Sequence, residues 1–341
     1  MSRDDRLKLL KELEEKRNAK IIVYVAGDRR ELETKIGADV IPIFQNILIN
    51  LQNTTNTIEL VLYSRGGDGT TALTIVSLIR EYCNTFNVII PWRAHSAATL
   101  IALGANSIIM LKSGQLSPVD VSVDTAFNPA IETPRGPQFI PINVEDLSGY
   151  FSLVKNTLKI QKEENLGKTL GFLTEKINPL AIGAVHRARE KNSKIASMLL
   201  EHHMEDEELI KKISEIITMG LYQHSFLISK RDAVNLKLPI ENIDEQLEKS
   251  IWELFSHYSS LLELNQFYNR EKILGSRQEI DVEFHRAIIE FINNSSNLET
   301  HTFTTKRRLK RTEITDPTLQ IKLPQIIETN LDEGWNINNS V

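Results

Sequence analysis

His95-Ser96-Ala97-Ala98-Thr99-Leu100-Ile101-Ala102-Leu103-Gly104-Ala105 sets a serine among small residues, after an extended segment and at the head of an apolar helix. A second turn of the same design lies upstream, where Ile58-Glu59-Leu60-Val61-Leu62-Tyr63 runs into Ser64-Arg65-Gly66-Gly67-Asp68 and then another helix. Strand, tight turn and helix in alternation build right-handed βαβ crossovers, with functional groups gathered at the carboxyl ends of the strands. One turn offers a hydroxyl. The other offers backbone N–H groups with no Cβ beside them.

Outward from these turns the pattern persists. Ile21-Ile22-Val23-Tyr24-Val25 is an unbroken apolar run ending at Ala26-Gly27-Asp28, which suits a strand covered on both faces. Val40, Ile43, Phe44, Ile47, Leu48 and Leu51 share one helical stripe, a second helix is predicted from Thr70 to Cys83, and strands at Asn87–Pro91 and Ser107–Leu111. Pro129, Pro134, Pro137 and Pro141 make 122–144 an aperiodic excursion, and 145–219 reads as a helical arm. Beyond Ile243 the periodicity fades. A helix is expected around Ile251–Tyr268, a hairpin over Thr302–Leu323 and a frayed end over Asp332–Val341.

The 341 residues suffice for one large core plus an appendage, and 41% hydrophobic with 25% charged residues is ordinary for a soluble globular protein. A net charge of −5 gives no global basic field to recruit nucleic acid. Cys83 is the single cysteine, read as a small hydrophobe; with no disulfide partner it fits a reducing, cytoplasmic compartment. Met1–Lys20 is charged throughout, unlike a secretory signal, and no window is apolar enough to span a bilayer.

A serine hydroxyl needs a base to take its proton and donors to hold the developing oxyanion. Gly66-Gly67 and the residue after the serine, Ala97, can supply the donors. Taken singly, a Gly-Gly turn is ordinary punctuation and a serine at a helix start is an ordinary N-cap.

Together, Ser64-Arg65-Gly66-Gly67-Asp68, the corner from His95 to Asn106 and Gln115-Leu116-Ser117-Pro118-Val119-Asp120 closely resemble the serine dehydrogenase proteinase family. That family stands with signal-peptide peptidase A and the Clp proteolytic subunit in the Clp/crotonase superfamily. The resemblance extends more weakly from Asp4 to the Gly220–Ala233 stretch. It implies an α/β Clp/crotonase-like spiral of ββα/βαβ units with a helical arm and a smaller C-terminal extension, divided as 1–245 and 246–341. It implies a cytoplasmic serine peptidase with Ser96 as nucleophile and the Gly67 and Ala97 amides as oxyanion hole. It further implies a peptide or protein substrate and a homo-oligomer. No cofactor or metal is expected, and 246–341, beyond the reach of the resemblance, is open to an unidentified protein partner. The family carries Pro-Gly-Gly where this chain has Arg65-Gly66-Gly67, and Ser-Ala-Gly-Thr where it has Ser96-Ala97-Ala98-Thr99; the second change brings a methyl group that could narrow the site.

The base is read as His224 oriented by Asp120, with the two residue types exchanged relative to the Clp order, since a triad is defined by geometry. A buried lysine of lowered pKa, Lys155 or Lys159, is the alternative base. Two rivals stand beside this reading: an inactive Clp-fold scaffold or sensor acting through its C-terminal segment, and an acyl-CoA enzyme using the same paired amides. No Gly-x-Gly-x-x-Gly turn is present, so the family name implies no dehydrogenase here. Glu201-His202-His203 reads as a solvated helix end and Lys306–Arg311 as a solvated strand or loop.

Overall fold

A computed structural model describes residues 2–119, 122–123, 125–133, 136–220, 227–315 and 322–338. The chain opens with α1 (Arg3–Arg17), β1 (Lys20–Ala26), α2 (Ile41–Leu51), β2 (Thr57–Tyr63), α3 (Gly69–Tyr82) and β3 (Thr85–Ile90). The short β4 (Arg93–Ala94), α4 (Ala97–Leu103), β5 (Ser107–Met110) and β6 (Gln115–Leu116) follow. The proline-rich excursion holds two small antiparallel pairs, β7 (Ser122–Val123) with β10 (Ile142–Asn143) and β8 (Ala130–Thr133) with β9 (Gly136–Phe139). The arm comprises α5 (Val144–Ser152), α6 (Glu163–Thr174), α7 (Pro179–Leu200) and α8 (Glu207–Glu215). Then come β11 (Ile228–Ser229), α9 (Lys230–Asn235), α10 (Glu245–Leu261), α11 (Arg270–Leu274), β12 (Glu279–Ile292), β13 (Leu298–Thr315) and β14 (Lys322–Ile337).

One seven-stranded sheet, ordered β14-β13-β12-β1-β2-β3-β5, organises the molecule. Strands β1, β2, β3 and β5 are mutually parallel, and β12 joins β1 antiparallel to begin a three-stranded antiparallel wing. The α/β class and parallel sheet expected from the paired turns are borne out. Strands β1 and β2 are apolar at successive positions because helices cover both faces. Ile22, Tyr24, Leu60 and Leu62 pack with Phe44 of α2, Ile75 of α3 and Leu100 of α4; Ile21, Val23, Val61 and Tyr63 pack with Leu10 of α1 and Leu254 of α10.

The last three strands correct the sequence reading. Regular structure continues past Ile243 although the sequence pattern weakens: β12 is a 14-residue strand, and the expected hairpin is longer than Thr302–Leu323. Asp332–Ile337 belongs to β14, held against β13 by pairs such as Phe303 with Trp335. The basic run is not a free patch, because Arg307 pairs with Glu328, Arg308 with Glu279 and Asp281, Lys310 with Glu279 and Arg311 with Glu271. Among the described residues no helix is long and apolar enough to cross a membrane.

Candidate active site

The two turns singled out in the sequence are stitched together. The Ser64 N–H donates to the Arg93 carbonyl at 2.9 Å and the His95 N–H to the Ser64 carbonyl at 3.0 Å, which sets the end of β2 beside β4. Ser96 then enters α4 with φ 51° and ψ −115°, a conformation that costs a non-glycine residue about 1–3 kcal/mol. Its neighbours hold it there. The Ser96 N–H donates to Ser117 Oγ at 2.9 Å, and Thr99 Oγ1 ties the Ala94 carbonyl (2.8 Å) to the Ser117 carbonyl (3.0 Å) from within the core. The half-buried Ser96 hydroxyl itself makes no hydrogen bond among the described residues.

Gly66 lies so close to this corner that a Cβ on it would sit 2.6 Å from Ser96 Cβ and 2.8 Å from the His95 carbonyl oxygen. Its φ of 107° excludes ordinary side chains as well. Gly67 is fixed from its other edge: the Ile36 N–H donates to the Gly66 carbonyl at 2.8 Å, and the Asp68 N–H donates to the Ile36 carbonyl at 2.9 Å. In extended backbone successive N–H groups point to opposite edges, so pairing Gly66 and Asp68 with Ile36 turns the Gly67 N–H away from it. Among the described residues neither the Gly67 nor the Ala97 N–H has an acceptor. Ala97 opens α4, where first-turn N–H groups lack intrahelical partners. The Ala98 methyl is fully buried in the core.

Charge surrounds the corner on the β1 side. Asp28, just past β1, accepts from Tyr63 Oη at 2.7 Å and from Arg93 Nη1 at 2.6 Å, with Arg65 Nε 3.2 Å away. Two arginines thus share one buried carboxylate. His95 is lowered to a pKa of about 4, first by burial and then by the Arg93 and Arg65 charges, and among the described residues its buried Nε2 has no partner. Asp68 caps α3 through Thr71; burial works against its ionisation, yet the Thr71 hydrogen bonds prevail and its pKa is lowered.

Asp120 and His224 lie outside the described residues. Lys155 and Lys159 are exposed, on and just after the π-helical turn Leu153–Thr157 that ends α5. The structure therefore brings together Ser96, Gly66, Gly67 and Ala97 and leaves the two lysines at the surface. The Glu201–His203 end is less solvated than expected, because His203 is half-buried with Nε2 2.8 Å from the Leu103 carbonyl. No metal-binding group of three or more ligands occurs among the described residues. Cys83 is half-buried and free, and burial pushes its thiol up to about 11, far from a reactive thiolate. Sequence reasoning missed Ile36 and Asp28. Only the Ala26-Gly27-Asp28 turn hinted at the latter.

An α/β sheet bearing a strained serine at a strand-to-helix corner, with free amides beside it, has the features of a serine-nucleophile hydrolase. Residues 2–133 match the family described as ClpP-like SDH-type serine proteinase, which bears out the resemblance read from the two turns over that stretch. An uncharacterised protein of Methanocaldococcus jannaschii is 26% identical over 253 residues, covering 71% of this chain and 76% of that protein. Similar solved structures include ClpP1 from Listeria monocytogenes, at 15% identity and a TM-score of 0.35, covering 70% of this chain and 99% of that one. A membrane-bound stomatin-specific protease in complex with a substrate peptide aligns at 17% identity and a TM-score of 0.34, covering 67% and 78% of the two chains.

Proposed function

We propose that the protein is a cytoplasmic serine peptidase whose nucleophile is Ser96. The observation that carries this reading is the Ser96 backbone at φ 51° beside two N–H groups, of Gly67 and Ala97, that have no acceptor among the described residues. Ser96 Oγ forms a bond to the carbonyl carbon of a peptide, and the carbonyl oxygen takes the negative charge between the Gly67 and Ala97 amides. The hydroxyl proton passes to His224, oriented by Asp120, and then to the departing amine as the C–N bond breaks; water releases the acyl group by the reverse sequence. Lys155 or Lys159, both at the surface, is the alternative base. Residues 1–245 carry this chemistry, and 246–341 form the extension. A homo-oligomer is supported by α6, which buries none of its residues and leaves Phe172 68% exposed.

A fluorophosphonate probe tests the proposal. The full chain is expected to be labelled at Ser96, and Ser96→Ala to lose the label. His224→Ala is expected to abolish labelling while Lys155→Ala retains it. Full labelling of the His224 variant removes histidine from the role, and absence of labelling above the Ser96→Ala control leaves a scaffold.

A further inference from the structure

The segment that orients Gly67 is itself held by the far end of the chain. Leu32–Asp39 crosses from the end of β1 to α2 as a strap, with Ile36 paired to the Gly67 turn at its middle. At its start, Arg286 Nε donates to the Leu32 carbonyl at 3.0 Å and Arg286 Nη2 to the Glu33 carbonyl. Arg286 occupies a bulge in β12, between the register positions of His285 and Ala287. Its own carbonyl accepts from the Gly27 N–H at 2.8 Å and Thr34 Oγ1 at 3.2 Å. Glu333 of β14 accepts from Arg286 Nη1 and Thr305 Oγ1, each at 2.8 Å, and fixes the guanidinium. At the other end of the strap, Trp335 Nε1 donates to Asp39 Oδ2 at 2.7 Å, with its ring packed against Tyr24 and Phe303.

We infer that Arg286, Glu333 and Trp335 of the C-terminal strands are positioning residues for the Gly67 amide, acting through the Leu32–Asp39 strap. This rests on the reading of Ser96 and its oxyanion donors given above. None of the three side chains hydrogen-bonds to Ser96, Gly67 or Ala97 among the described residues. They fix both ends of the strap, so that Ile36 holds the Gly66 carbonyl and the Asp68 N–H on one edge and leaves the Gly67 N–H on the other. Loosening either end frees the peptide planes around Gly67 to rotate and removes a preorganised donor from the oxyanion.

The test uses the full chain with Trp335→Phe, which keeps a ring and loses the donor, and Asp39→Asn, which keeps an acceptor oxygen. Fluorophosphonate inactivation is resolved into its maximal rate and half-saturating concentration, and amide hydrogen exchange is followed in peptides spanning residues 64–70. Trp335→Phe is expected to lower the maximal rate about fivefold, the loss of one hydrogen bond's worth of positioning, with half-saturation unchanged and faster exchange at Asp68. Asp39→Asn is expected to preserve both readouts. Unchanged exchange at Asp68 in Trp335→Phe overturns the strap linkage, and faster exchange with an unchanged maximal rate overturns its bearing on Gly67. Should the parent chain fail to label Ser96 above its Ser96→Ala control, the peptidase reading falls, and exchange still decides whether the hairpin controls the turn. Asp39→Ala removes the same bond from the strap side if Trp335→Phe does not fold.

Discussion

Gly66 shows how little freedom the corner has. A methyl group there meets Ser96 Cβ at 2.6 Å and the His95 carbonyl at 2.8 Å, both parts of the main architecture and neither able to swing aside. Its φ of 107° adds a backbone penalty of about 1–2 kcal/mol for an L side chain. Gly66→Ala is therefore expected to push the two turns apart and slow Ser96 labelling by about 10²-fold, the effect of losing one oxyanion donor. Circular dichroism should show the fold retained; wild-type labelling by this variant would mean that the turn does not position the oxyanion donors. Both glycines and Ser96 were legible in the sequence because their signal is local, a small residue at each strand-to-helix turn. Ile36 was not legible. It is an ordinary buried aliphatic residue whose role comes from two backbone hydrogen bonds to a turn distant in sequence. Asp28 was likewise visible only as the end of a strand, since its partners Tyr63, Arg65 and Arg93 come from β2, the turn after it and β4.

The elements divide by the same rule. Strands β1 and β2 were readable as continuous apolar runs, but β12 was hidden by a carboxylate in the middle of its buried half, Ala287-Ile288-Ile289-Glu290-Phe291-Ile292. Glu290 is fully buried, which a sequence pattern has no means to show. It accepts from Arg6 of α1 at 3.0 and 3.1 Å, from Tyr258 of α10 at 2.5 Å and from Thr300 of β13 at 2.7 Å, so one carboxylate joins four elements. Burial, then the Glu290 charge, holds the Tyr258 hydroxyl protonated. Glu290→Gln removes the buried carboxylate charge on which Arg6, Tyr258 and Thr300 converge and is expected to cost about 3–5 kcal/mol in urea unfolding. Replacing both partners, Arg6→Met with Glu290→Leu, is expected to recover most of that loss, because the desolvation penalty of the pair is removed with it. A double variant no more stable than Glu290→Gln alone would show that the remaining hydrogen bonds, and not the ion pair, hold the junction.

At the scale of the molecule, the family match ends at residue 133, yet the sheet is completed by strands from 279 onward. β12 lies directly against β1: Ile289 and Phe291 enter the core beneath α2 and α3, and Ile288 and Ile292 enter the core beneath α1 and α10. The C-terminal extension therefore shares both hydrophobic layers with the strands that lead to Ser96. A chain ending at residue 245 would open the Ile22–Ala26 edge of β1 and lose α10 from its face, with Ile251, Leu254, Phe255 and Tyr258. Unpaired edges and bared apolar faces of this size drive strand pairing between molecules. The full chain is accordingly expected to unfold in one calorimetric transition, with calorimetric and van't Hoff enthalpies equal, and the 1–245 fragment to aggregate or lack a cooperative transition. A soluble fragment with a sharp melt near that of the full chain would separate the extension from the core. The control of Gly67 by Trp335 would then have to be an interaction between two independently stable bodies.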